Sequence, residues 1–290
     1  MDRRNFLQRV GAGTSLFLPI SSLFLAKDEK GASEPNQAPP LSAGDVALAT
    51  IALNAGYLES EFFLRALTGQ GLSTEDTSGL GAAGPVLVSK EDPLEFRDPS
   101  IKAIAEQITR DELAHVHVLR STFASFGLTP PARPTIDLTN TFLTLAEGAG
   151  IDRDFDPFDS ERDFLVFAFF LEQITSSTFV GAIPLLQNNV IKSLAASLLG
   201  TETSHNGFVR LGLAHEKLID EANEIAAFSQ KLVNSAQTII RPLFDGRLLL
   251  SPVGDDGLVS PLDGRQFLNC ILLGINANAG GFYPNGLNLA

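Results

Sequence analysis

Six side chains in this sequence have the types and spacing to hold metal ions. Glu112-Leu113-Ala114-His115 and Glu202-Thr203-Ser204-His205 are both Glu-x-x-His. Residues three apart share a helix face, so each glutamate points the same way as its histidine. The chain has only four histidines, and two of them fall in this spacing. Both faces are apolar: Ala105, Ile108, Val116 and Leu119 flank the first pair, and Ala195, Leu198, Leu199 and Val209 flank the second. A solvated pair would sit on a polar stripe instead. Glu172 is the only charged residue between Phe164 and Ile191. A helix that is apolar all round is buried, and a lone buried carboxylate must find a partner or take up a proton. With no lysine or arginine near it in sequence, a metal ion is the economical partner; the alternative is a neutral Glu172 bonded to another helix. An earlier helix offers Glu59 and Glu61. Ala52, Ala55, Gly56, Phe62, Phe63 and Ala66 share the face of Glu59, whereas Asn54, Arg65 and Thr68 lie on that of Glu61. Glu59 is therefore expected to point inward and Glu61 to be solvated.

The set is Glu59, Glu112, His115, Glu172, Glu202 and His205. Each half of the chain supplies one Glu helix and then one Glu-x-x-His helix. Four carboxylates balance two divalent ions, and oxygen with imidazole suits iron or manganese. Without metal, inward carboxylates repel one another and bind protons more tightly.

Four helices must position these groups. Ser42 is a plausible N-cap for a helix over 43–68. Pro99-Ser100 opens another to about Phe126. Ser160-x-x-Asp163 resembles a capping box for an apolar helix to about Leu186. Further helices are expected over 191–216, 219–240 and about 265–273, with a short one at 138–147. Residues 69–98 are rich in Gly, Ser and Pro and are expected to be a long loop. The expected class is all-α, a helical bundle over 42–240 with a C-terminal extension over 241–290 rich in Gly and Pro.

Composition narrows the function. The 290 residues are 44% hydrophobic, enough for a sizeable core. One cysteine excludes a disulfide framework, a Cys-ligated zinc site and an iron–sulfur cluster. Net charge −13 argues against a nucleic-acid partner, which needs a basic face. Aromatic content is phenylalanine without tryptophan, as in core filling.

The N-terminus carries Arg3-Arg4 with Phe6-Leu7, and residues 10–26 hold no charge. This is the arrangement of a bacterial export signal and resembles the twin-arginine subtype. Seventeen residues interrupted by Pro19 are marginal for a permanent span, so no stable membrane segment is expected unless this one stays uncleaved. Ser33, with Gly31 two places before it, fits a cleavage site better than Ala26. The expectation is a signal over 1–33, a proline-rich linker over 34–41, and a periplasmic or extracellular product.

Other motifs carry less. Gly79-Leu80-Gly81-Ala82-Ala83-Gly84 matches G-x-G-x-x-G, but no strand is expected before it and Pro85 stands where a helix should run. Asp152-Arg153-Asp154-Phe155-Asp156 starts like a calcium loop, but Pro157 takes the place of the turn glycine. His117 and His215 are expected to be solvated or structural, and Cys270 a buried small hydrophobe.

Beyond single motifs, longer stretches match a known family. They include Leu53-Asn54 with Tyr57-Leu58-Glu59 and Phe62, and Asp111-Glu112-Leu113-Ala114-His115-Val116 with Leu119-Arg120. Phe155-Asp156-Pro157-Phe158, Gly181-Ala182 with Pro184-Leu185, and Glu202-x-x-His205 with Gly207 follow. The tail Gly280-Gly281-Phe282-Tyr283-Pro284-Asn285-Gly286-Leu287-Asn288 is the most specific. Over about residues 42–290 the chain resembles exported bacterial ferritin-like domain proteins and the plant desiccation-related proteins of the same family. The resemblance implies a ferritin-like four-helix bundle with a dimetal carboxylate site. On that pattern Glu112 and Glu202 bridge two metals, Glu59 and Glu172 are terminal, and His115 and His205 hold one metal each. Gly56, where the family usually has Glu, and Thr175-Ser176, in place of an Asp-Val-Gly run, depart from it.

Two functions of different class follow. One is a redox protein that oxidises metal or handles dioxygen or peroxide in stress protection. The other is a non-catalytic, desiccation-protective protein whose metals only hold the bundle together. Oligomeric state is not legible. A tyrosyl-radical generator is disfavoured, since only Tyr57 and Tyr283 are available and Tyr57 is off the Glu59 face; the long loop and tail are unlike a compact ferritin subunit.

Overall fold

The computed structural model describes residues 40–151 and 154–289. The export segment, most of the linker and Asp152-Arg153 of the calcium-like stretch lie outside the described residues.

Helix α1, Ala43–Thr68, begins where the sequence places its cap. The Asp45 N–H donates to Ser42 Oγ at 3.1 Å and the Ser42 N–H donates to Asp45 Oδ2 at 3.1 Å, a reciprocal box. It ends at Gly69, whose φ of 76° an L side chain rarely adopts. Within the expected 69–98 loop, α2 (Thr74–Thr77) and β1 (Val86–Val88) form. Helix α3, Pro99–Ser125, starts with Asp98 as N-cap and proline in its first turn, where no N–H is needed. β2 (Ile136–Leu138) pairs in parallel with β1, Val86 opposite Ile136, a small exception to the all-α expectation. Helix α4 is Asn140–Ala149.

Helix α5, Glu161–Ala182, is capped by Ser160, but no reciprocal box forms. Asp163 Oδ2 instead accepts the Asp156 N–H at 3.2 Å, tying down the incoming chain. A 3-10 turn at Ile183–Leu185 follows. Helix α6, Asn189–His215, is capped by Asn188. Helix α7, Ile219–Val233, is shorter than expected because Asn234 adopts a left-handed φ of 53° and stops it. Helix α8 is Gly264–Ile271.

Four long helices make the bundle: α1 packs along α3 and α5 along α6, and the pairs meet through α3 with α6 and α1 with α5. Helix α5 is apolar and long enough to cross a membrane, but 78% of its most apolar window is buried inside the bundle. It is the core helix. One end of the bundle is filled by phenylalanines. Phe62 and Phe167 meet edge-on at 4.6 Å, and Phe142 lies 4.7 Å from Phe167. Phe63, Phe96, Phe158, Phe164, Phe170 and Phe282 belong to the same group.

The tail is bonded to the bundle. Arg210 of α6, fully buried, donates to the carbonyls of Pro242, Arg241 and Leu249 and stacks over Phe169. The Leu262 N–H donates to Ser177 O on α5 at 2.9 Å, and the Asp137 N–H to Phe282 O at 3.0 Å.

Candidate metal centre

All six residues singled out by spacing are buried. Each long helix presents its share midway along the bundle: Glu59 from α1, Glu112 and His115 from α3, Glu172 from α5, Glu202 and His205 from α6. Glu112, Glu172, Glu202 and His205 offer ligand atoms all within 4.8 Å of one another. His115 Nδ1 lies 3.3 Å from Glu112 Oε1 and 3.2 Å from Glu202 Oε1. His205 Nδ1 lies 3.2 Å from Glu112 Oε1 and 3.7 Å from Glu172 Oε2. The two imidazoles are nearly parallel, 6.1 Å apart.

These contacts are short, yet they lack hydrogen-bond geometry. Glu59 Oε1, both oxygens of Glu112 and of Glu172, and Nδ1 of both histidines have no hydrogen-bond partner and no exposure to solvent. Buried polar atoms are otherwise almost always satisfied. Neighbouring ligands of one octahedral ion with bonds near 2.1 Å lie about 3 Å apart, the spacing seen here. The residues fit a pair of divalent ions by donor type, count and convergence.

The electrostatics show what the protein does without metal. Burial, then the charges of Glu202 and Glu112, push Glu59 well above its ordinary 4.5. Burial, Glu202, Glu112 and Glu59 do the same to Glu172. Burial alone would raise Glu112 and lower the histidines. Their mutual attraction overrides it, taking Glu112 down to about 2. It carries His115 up to about 11 and His205 up to about 9, where Asp111 and Glu112 both act. Without metal, the two histidines hold protons at neutral pH that bound ions would displace.

Three supporting residues escaped the spacing argument. Asp111 Oδ2 lies 3.1 Å from His205 Nε2 and accepts the Gln107 side-chain amide at 2.6 Å. Holding the Nε2 proton leaves Nδ1 free to face the carboxylates, as metal-binding histidines require. Thr175 Oγ1 lies 3.2 Å from Glu202 Oε2, so this departure from the family pattern still supports a ligand. At Gly56 a Cβ would meet Val116 Cγ2 at 3.5 Å, an ordinary van der Waals contact, and nothing in the structure explains the glycine there.

Glu61 is a correction. It is fully buried, not solvated, and is ion-paired to Arg65 at 2.9 Å and to Arg133. It also accepts the Leu72 N–H at 3.3 Å, so it anchors the long loop rather than the metal site. His117 pairs with Asp76 of α2 at 2.9 Å, and the half-exposed His215 pairs with Asp98. Cys270 is buried, with its thiol pushed up to about 12 by burial. The G-x-G-x-x-G stretch runs as a loop whose Leu80 bridges to Pro131, with no long helix after it.

A bundle with this carboxylate-histidine set defines the ferritin-like class. The ferritin-like domain family matches residues 44–215, more than half of the chain, and the chain belongs to that family. It is 26% identical over 227 residues to the desiccation-related protein PCC13-62 of Craterostigma plantagineum, across 74% of this chain and 69% of that protein. It is 24% identical over 274 residues to the ferritin-like catalase Nec2 of Nesocodon mauritianus, across 84% of this chain and 83% of that protein. No solved structure matches significantly.

Proposed function

We propose that this chain is an exported redox protein of stress protection, holding two divalent ions through Glu59, Glu112, His115, Glu172, Glu202 and His205. The observation that carries this is the buried cluster in which Glu112, Glu172, Glu202 and His205 offer ligand atoms within 4.8 Å of one another, with His115 Nδ1 3.3 Å from Glu112 and 3.2 Å from Glu202. Iron or manganese there would supply two one-electron redox centres side by side. The chain does the rest. Asp111 holds the proton on His205 Nε2, Thr175 steadies Glu202, and the phenylalanine end keeps water from the site. The named activity of the Nesocodon relative supports peroxide as a reactant. Export rests on Arg3-Arg4 and the uncharged run over 10–26. Replacing both arginines by lysine should leave the protein in the cytoplasm; unchanged export overturns that part.

Metal per chain by mass spectrometry, with dioxygen and peroxide consumption by the loaded protein, tests the function. Glu172→Gln keeps shape, removes a ligand charge and should lower metal content while leaving the metal-free fold intact. The exposed Glu147→Gln is the control and should change nothing. Full occupancy in Glu172→Gln refutes the site. Full loading of the wild type with no dioxygen or peroxide chemistry instead favours a purely protective protein, the reading that the Craterostigma relative's name supports.

A further inference from the structure

The bundle is packed differently on the two sides of the site. On one side the phenylalanine group fills the core. On the other lies a cavity of about 50 Å³ that all four long helices line. Its lining begins one helical turn from the ligands: Ala55 precedes Glu59 by four residues, Leu119 follows His115 by four, Thr175 follows Glu172 by three, and Leu198 precedes Glu202 by four. Small residues, among them Ala52 of α1 and Ala195 of α6, leave the space open. Leu185, also in the lining, is 62% exposed, so the cavity reaches the surface there.

Its chemistry is apolar throughout. The only hydroxyls facing it are those of Thr122, Thr175 and Thr178. Thr122 donates to Val118 O and Thr178 to Ile174 O, each at 2.7 Å, and the single Thr175 proton is shared between Leu171 O at 2.9 Å and Glu202 Oε2 at 3.2 Å. A buried water needs about two to four polar partners, and this lining offers no free donor and only the acceptor lone pairs of three hydroxyls in an otherwise hydrocarbon wall. Hydrogen peroxide, which must donate and accept hydrogen bonds, is no better served. Size excludes large apolar ligands too, since an apolar cavity that holds benzene measures about 150 Å³. A small apolar gas fits both limits.

We propose that this cavity is the port through which dioxygen reaches or leaves the metal centre, passing Thr175, whose hydroxyl touches Glu202. This rests on the redox reading of the site. Polar peroxide reaches the site past the side chains of His115 and Asp111, which are 10% and 27% exposed.

The test uses the full chain. Xenon, an apolar probe of similar size, should give a saturable xenon-129 shift with the metal-free protein. Ala52→Leu should abolish it, and Ala195→Leu serves as a second plug should the first fail to fold. With ferrous ions loaded, each dioxygen takes one electron from each of two ferrous ions and two protons from water, leaving two ferric ions and hydrogen peroxide. Plugging should slow that oxidation about tenfold, equivalent to a barrier increase of ~1.4 kcal/mol. Metal content and oxidation by added peroxide should not change. Absence of xenon binding, or equal slowing by both oxidants, overturns the proposal. A chain that takes xenon but binds no metal sinks the redox reading and leaves the gas cavity standing.

Discussion

Asp111 sits one residue before Glu112 on α3, yet its carboxylate serves His205 on α6. Sequence spacing finds groups on one helix face; it cannot tell which neighbouring helix a residue a hundred degrees round will meet. Glu61 departs from its expected solvated position for the same reason. Asn54, Arg65 and Thr68 on its face give it the look of a solvated residue. Arg133, 72 residues away, is what buries it. The burial of all six candidate ligands is legible because each is a charged or imidazole group on an otherwise apolar stripe, a contradiction that a single helix exposes by itself. Thr201 occupies in α6 the position of Asp111 in α3, so the two halves of the site are not equivalent behind their histidines. Asp111→Asn should therefore weaken metal binding by about 10–100-fold, the usual effect of losing such a carboxylate. Competition titration against a chelator of known affinity measures it. Wild-type affinity in the variant would show that His205 needs no help from Asp111.

At the scale of elements, α1 is legible to the residue: Ser42 caps it and the helix runs over Ala43–Thr68, whereas the reciprocal bond from Asp45 and the left-handed stop at Gly69 emerge only in the structure. Helix α7 was read too long because an asparagine in left-handed conformation leaves no clear mark in sequence. The parallel pairing of β1 with β2 joins segments fifty residues apart and has no local signal either. Close approach of elements is equally silent until coordinates are known. Gly181 near the end of α5 is such a place: a Cβ there would fall 1.9 Å from Leu262 O. The tail cannot retreat freely, because the Leu262 N–H is bonded to Ser177 O. Gly181→Ala should therefore cost about 1–3 kcal/mol, the range for overpacking a tight contact. Denaturant titration of the metal-free protein measures it. The loss should come without a change in metal stoichiometry, since the ligands lie more than a turn away. A neutral substitution would mean that the tail does not pack on α5 in solution.

For the whole molecule, metal, protons and stability are linked through one site. The metal-free fold holds His115 and His205 above the ordinary 6.5, to about 11 and about 9. Their charged forms stabilise the fold fully below pH 6.5, and this contribution is lost as pH rises through about 9 and then about 11. Glu59 and Glu172, raised above 4.5, act in the same direction: the folded chain keeps protons that the unfolded chain has released. The metal-free protein should accordingly lose stability steadily from about pH 6 to about pH 9. Metal binding runs the other way. Imidazole and carboxylate must be deprotonated to ligate, so affinity rises with pH and protons are expelled as ions enter. A ligand bound only by the folded state stabilises it by about 2.7 kcal/mol at a hundred times its dissociation constant, and the factor grows as affinity grows. The difference in melting temperature between metal-loaded and chelated protein should thus widen over that pH range. At neutral pH, filling the site should release at least two protons per pair of ions, one from each histidine, and Glu59 and Glu172 can only add to them. A pH indicator in weakly buffered solution counts the protons, and calorimetry with and without chelator gives the melting gap. A gap that stays constant with pH, together with metal uptake that releases no protons, would place the metals somewhere other than between these helices.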